Sequence, residues 1–256
     1  MDDWTYCQTC LAVGPGGEEH ALVRSEELQI SRAFTFLIDD PRWWLKVLIG
    51  GLFVVASVLV VPYFFILGYQ LAVIRAVAAG DDCVMPEWNN LGRKFKDGAS
   101  IFLIMIVYAI PMLLALALVV VLGILVGRAP THTIAHGFLL ALAVIGFIIG
   151  WLAVVVYSLV LRFASPAIYG IFTNTGSIRQ TLQPGVVIGL VRADIKAYFL
   201  VFLISVFVTS TVAFLGLFAL CIGVFFTTFY SSVVTAHLIG QLTRLNAYTG
   251  AGIGAE

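Results

Sequence analysis

The first spacing in this chain that can do chemistry is Cys7-Gln-Thr-Cys10. Two thiols three residues apart can bite a metal ion or close a redox loop, but structural zinc takes four ligands and no second C-x-x-C follows. Cys7 and Cys10 are therefore half a metal site, with His20 as a third donor in reach and the remainder owed to a partner or a second protomer. His132 and His136 stand at i, i+4, a spacing that sets two imidazoles on one side of a helix for a metal, haem or chlorin. Neither has a carboxylate or cysteine nearby, and metal sites are clusters rather than pairs. His237, among Thr235 and Gln241, reads as a hydrogen-bonding group inside a helix bundle. No Ser-His-Asp grouping, P-loop or dinucleotide fingerprint can be assembled. The expectation is a protein that is not an enzyme and carries no cofactor, unless one binds at Cys7/Cys10 or His132/His136.

The elements that hold these residues are set by composition. The chain is 61% hydrophobic and 11% charged, against about 25% charged in soluble domains. Val47 to Ile74, Ala99 to Gly127 and Ala197 to Thr243 contain no Asp, Glu, Lys or Arg, and Ala129 to Leu161 has only two histidines. Each block reaches the ~20 residues that cross a bilayer as a helix. Zero net charge and dispersed bases exclude nucleic-acid binding. The acidic first forty residues carry no readable secretory signal.

Between the first two blocks, Gly80 to Gly98 reads as a surface helix beginning at Pro86. At 100° per residue Trp88, Leu91 and Phe95 share an apolar face, opposite Asn89, Arg93, Lys94 and Lys96. That pattern places Trp88, Leu91 and Phe95 as anchors in the membrane interface. Trp43 and Trp44, behind an Asp40-Pro41 helix start, belong at headgroup level too. A further amphipathic helix is legible from Gln29, with Ile30, Ala33, Phe34 and Leu37 on one face. Gly146 and Gly150 form a GxxxG for close helix approach, and Thr227, Ser231 and Thr235 make a polar stripe suited to interhelical hydrogen bonds.

The order of segments is a polar tail with the C-x-x-C (1–27), a helical membrane domain (28–245) and a short tail (246–256). Residues 45–79, broken by Pro62, form either one kinked helix or a hairpin. If they form a hairpin, all 14 Lys and Arg except Arg128 fall on one side, as the positive-inside rule favours. The fold expected is all-α and polytopic, with about six membrane segments (four to six), interfacial helices on the cytoplasmic side and both termini cytoplasmic.

Asp40-Pro41-Arg42-Trp43-Trp44-Leu45-Lys46, Gly50-Gly51, the Pro62 break, Gly68-Tyr69, Ile74-Arg75, Gly80-Asp81, Pro86-Glu87-Trp88 and Asp97-Gly98 together resemble an uncharacterised family of prokaryotic membrane proteins, domain of unknown function four thousand and thirteen. The resemblance spans residues 30 to 245, carries no activity with it and implies a prokaryotic cell membrane. The expected function is a non-catalytic membrane subunit or scaffold, in contact with the lipid bilayer and with other membrane proteins or a second copy. The alternative is a transporter or channel component for a small solute.

Overall fold

The computed structural model describes residues 28–81, 85–128, 134–218 and 223–248, the side chains of 134–136, 212, 213, 215, 217, 218 and 248 excepted. Among the described residues every regular element is helical. They are α1 (Ile30–Ile38), α2 (Trp43–Ala56), a 3₁₀ turn (Ser57–Leu59), α3 (Val61–Ala78), α4 (Leu91–Arg128), α5 (Ile134–Thr175), α6 (Ile178–Thr181), α7 (Pro184–Ala193), α8 (Ile195–Phe218) and α9 (Gly223–Tyr248). Four helices are long and apolar enough to cross a membrane, and a fifth span is possible if α1 and α2, bent by 96°, count as one. The chain is a helical polytopic membrane protein, and among the described residues the helices that qualify by length and composition number four or five, within the expected four to six.

Residues 45–79 are a hairpin and not a kinked helix. Phe53 and Phe65 meet across the turn with ring centroids 5.2 Å apart. The reversal falls at Val60, whose φ of 64° is a conformation a β-branched residue rarely adopts. Pro62 sits in the first turn of α3, where its missing N–H costs nothing. At the other end α3 stops in a Schellman turn: Gly80 takes φ 92°, and Asp81 N–H reaches back to the carbonyl of Ala76.

α3 and α9 occupy the centre, and both are largely buried. α8 and α9 pair antiparallel over their whole length, from Tyr198 against Asn246 to Gly216 against Val224. α4 crosses α3 at backbone contact, because Gly98 lies on the carbonyl of Phe64 and Gly68 on that of Lys94. α4 and α5 form the longest hairpin. Tyr157 OH donates to the carbonyl of Tyr108, and Gly146 and Gly150 face Leu122 and Val119 of α4.

Two sequence expectations change. The helix expected from Pro86 begins at Leu91, so residues 85–90 are a non-helical strap. α1 buries Ala33, Phe36 and Leu37, a face rotated from the expected one, while Ile30 is exposed. α5 runs on to Thr175 through an apolar stretch, and Arg162 donates to Thr209 Oγ1 of α8 at 3.3 Å.

Candidate functional site

The strap 85–90 ties together the polar end of the bundle. The helix start expected at Asp40-Pro41 is displaced: α2 begins at Trp43 behind Arg42, and Asp40 closes the turn before it, its Oδ1 accepting from Arg42 N–H at 2.8 Å. Its Oδ2 accepts from the Lys46 ammonium at 2.6 Å and from Met85 N–H at 3.1 Å. Both side chains are almost fully buried, at 1% and 3% exposed, so the charges persist only because each is paired and hydrogen-bonded. Lys46 also donates to the Met85 carbonyl at 2.6 Å and pairs with Glu87 at 2.9 Å, and Glu87 in turn holds Arg42 at 2.8 Å. This foursome is charge-neutral.

Trp88 plugs the strap into the bundle. Its ring stacks on Tyr69 (4.4 Å) and on Phe53 (5.0 Å), and its indole N–H donates to the Lys46 carbonyl at 3.1 Å. The Tyr69 hydroxyl donates to the Pro86 carbonyl at 2.8 Å. Lys94, itself buried, donates to the carbonyls of Glu87 (2.8 Å) and Asn89 (2.7 Å). The carbonyls that a helix from Pro86 would spend on its own N–H groups are thus taken by side chains, which is why the helix waits until Leu91. Asn90, in the left-handed region at φ 49°, turns the chain, and its carbonyl receives the N–H groups of Arg93 and Lys94.

Beside the strap, between α3 and the start of α4, lies a cavity of about 260 Å³. Arg75, Asn89, Asn90, Arg93, Lys94 and Asp97 supply its polar lining, and Gly68, Ala72 and Pro86 the rest. Asp97 is ion-paired with Arg75 and lies 3.8 Å from Arg93. Three bases therefore face one acid. What such a concave basic surface can do is hold an anion.

The residues singled out from sequence are scattered. Trp43, Trp44, Leu91 and Phe95 are exposed, whereas Trp88 is half-buried and packs against the core. Thr227 and Ser231 donate to carbonyls of their own helix, those of Val224 and Thr228, instead of across an interface. Thr235 is half-buried on the same helix. His237 packs against Phe36 with the rings tilted by 50° and centroids 4.6 Å apart and approaches Gln241 at 3.1 Å, and Gln241 binds both the N–H and the carbonyl of Gln29. Cys7, Cys10, His20 and His132, and the side chain of His136, lie outside the described residues. Among those described, no three His, Cys, Asp or Glu side chains cluster as a metal site. The Asp40–Lys46 pair and the Lys94 clasp were missed by sequence reasoning. The one available signal was a lone lysine between two apolar runs, at Lys46.

No curated protein and no solved structure matches this chain. A family model described as Protein of unknown function (DUF4013) matches residues 51–222. The match takes in the strap, the α3–α4 crossing and the cavity, and begins after Asp40 and Lys46. With more than half of its length inside that match, the chain belongs to the DUF4013 family.

Proposed function

We propose that this protein is a non-catalytic membrane subunit of the prokaryotic cell membrane, which assembles with partner membrane helices or with a second copy of itself. Its polar end, carrying α1, the strap and both chain termini, faces the cytoplasm and offers the surface for peripheral partners. The observation that carries this reading is the α4–α5 hairpin. In the most apolar 18-residue window of each arm no residue is buried within the protein. Arms this long exceed what their own chain covers, and apolar helix faces associate in lipid by close packing where small residues allow it. Gly123 and Gly127 of α4, at i, i+4, have open space around them. The reading is tested by extracting the tagged full-length protein in mild detergent and weighing the particle by size exclusion with light scattering. The expected outcome is a reproducible homo-oligomer or complex of fixed stoichiometry. A monodisperse monomer with no co-purifying membrane protein would contradict it.

A further inference from the structure

We propose that the cavity at the start of α4 binds a phosphate group, presented to it by an anionic phospholipid of the surrounding bilayer. Charge balance is the first support. Arg75, Arg93 and Lys94 line the cavity against Asp97 alone, leaving a local excess of two positive charges. The nearest other carboxylate on the strap, that of Glu87, is already engaged by Arg42 and Lys46. An excess of this kind in a confined space at the polar end of a membrane bundle is the feature that recognises lipid headgroups.

Lys94 is the second support. Its residue is only 6% exposed and it forms no ion pair among the described residues. An ammonium has three donors, and two are spent on the Glu87 and Asn89 carbonyls. The carboxylate that acts on this buried ammonium, Glu87, is shared with Arg42 and Lys46, so an anion in the cavity beside it lowers the cost of burying the charge. Asn89 and Asn90 add neutral amide donors to the lining.

Size and setting choose the ligand. At about 260 Å³ the cavity falls below the ~300 Å³ where pockets for drug-sized molecules begin, which suits a phosphate and its glycerol and is small for a nucleotide.

The experiment uses the full-length protein in detergent, titrated with phosphatidylglycerol, phosphatidylcholine or inorganic phosphate, and read by native mass spectrometry and by Tm. Variants are Arg93→Gln and Asn89→Asp, both at exposed positions, and size exclusion verifies that each stays folded. Expected is one tightly retained phosphatidylglycerol, at least tenfold preferred over phosphatidylcholine, with retention falling at least fivefold in each variant. Displacement of that lipid by millimolar inorganic phosphate, with its own variant-sensitive rise in Tm, would keep the site and assign it to free phosphate. Equal retention of both lipids, or phosphatidylglycerol retention unchanged in both folded variants, would overturn the proposal.

Discussion

At the scale of the residue, the Asp40–Lys46 pair is the costliest thing in the molecule to disturb. Both groups are withdrawn from solvent, and Asp40 also holds the N–H of Met85, which lies 45 positions away. Replacing Lys46 by Met leaves the Asp40 carboxylate buried without its cation, a loss of about 3–5 kcal/mol. The double change Asp40→Asn/Lys46→Met removes both charges and is expected to recover more than half of that, since a neutral pair avoids the desolvation that the ions must offset. Unfolding in detergent, followed by far-UV circular dichroism for wild type, each single variant and the double, gives the coupling. Additive losses would show that the pair is not a unit. Of this cluster the sequence exposes only the local half. Asp40 before Pro41 reads as a helix start, but α2 begins only at Trp43 and Asp40 holds the turn before it; its long-range partners on the strap leave no trace in spacing or periodicity. Trp88 misled for a related reason. Its spacing to Leu91 and Phe95 fits a lipid-facing stripe, yet the indole is stacked between Tyr69 and Phe53, contacts fixed by where α2 and α3 lie.

At the scale of the element, the helices divide by what defines their ends. Schellman closure at Gly80 and the serine cap at Ser177, which accepts from Gln180 N–H, are written in adjacent residues. The start of α4 is not, because the carbonyls of Pro86, Glu87 and Asn89 are drawn to Tyr69 and Lys94. The α3–α4 crossing shows what the glycines of Gly68-Tyr69 and Asp97-Gly98 are for. A Cβ at Gly98 would overlap the carbonyl of Phe64, and backbone cannot step aside as a flexible side chain can. Gly98→Ala is therefore expected to cost about 1–3 kcal/mol and to pull Arg75 from Asp97, since that pair bridges the same two helices. Gly146→Ala is its control. There the nearest atom to a Cβ is Leu122 Cδ1 at 3.7 Å, an ordinary contact, so stability should change by less than about 0.5 kcal/mol. The same unfolding assay compares them, and equal losses would mean that the close crossing is not what holds α3 to α4. The Pro62 break was legible as a discontinuity. Its resolution into a hairpin needed Phe53 to find Phe65.

At the scale of the whole molecule, the arms and the packed core differ in reach. Gly98 is level with Phe64, close to the α2–α3 turn, and from there α4 runs on to Arg128, ~45 Å at about 1.5 Å per residue. That is already more than the ~30 Å of a hydrocarbon core. α2 with its 3₁₀ turn and α3 are ~25 Å and ~27 Å by the same rise, and near their tip Phe102 of α4 packs on Tyr63 and Phe64. The tip itself is Ser57-Val58-Leu59-Val60-Val61-Pro62, with Val58 85% and Leu59 74% exposed. A hairpin that emerged on the far side would place polar groups there, yet its one hydroxyl, on Ser57, is spent on the Val54 carbonyl. The apolar tip is stable only in lipid, so the α2–α3 hairpin should dip into the bilayer and return without crossing. Hydropathy counts it as two segments because composition measures apolar length and not depth. Single cysteines at Leu59, Lys96 and Arg128, in a version of the protein lacking its native cysteines, separate the two arrangements. Lys96→Cys is expected to react with an impermeant maleimide from one side of the membrane and Arg128→Cys from the other. Leu59→Cys should be protected from both until detergent is added; its labelling from the same side as Arg128→Cys would mean that the hairpin spans the membrane.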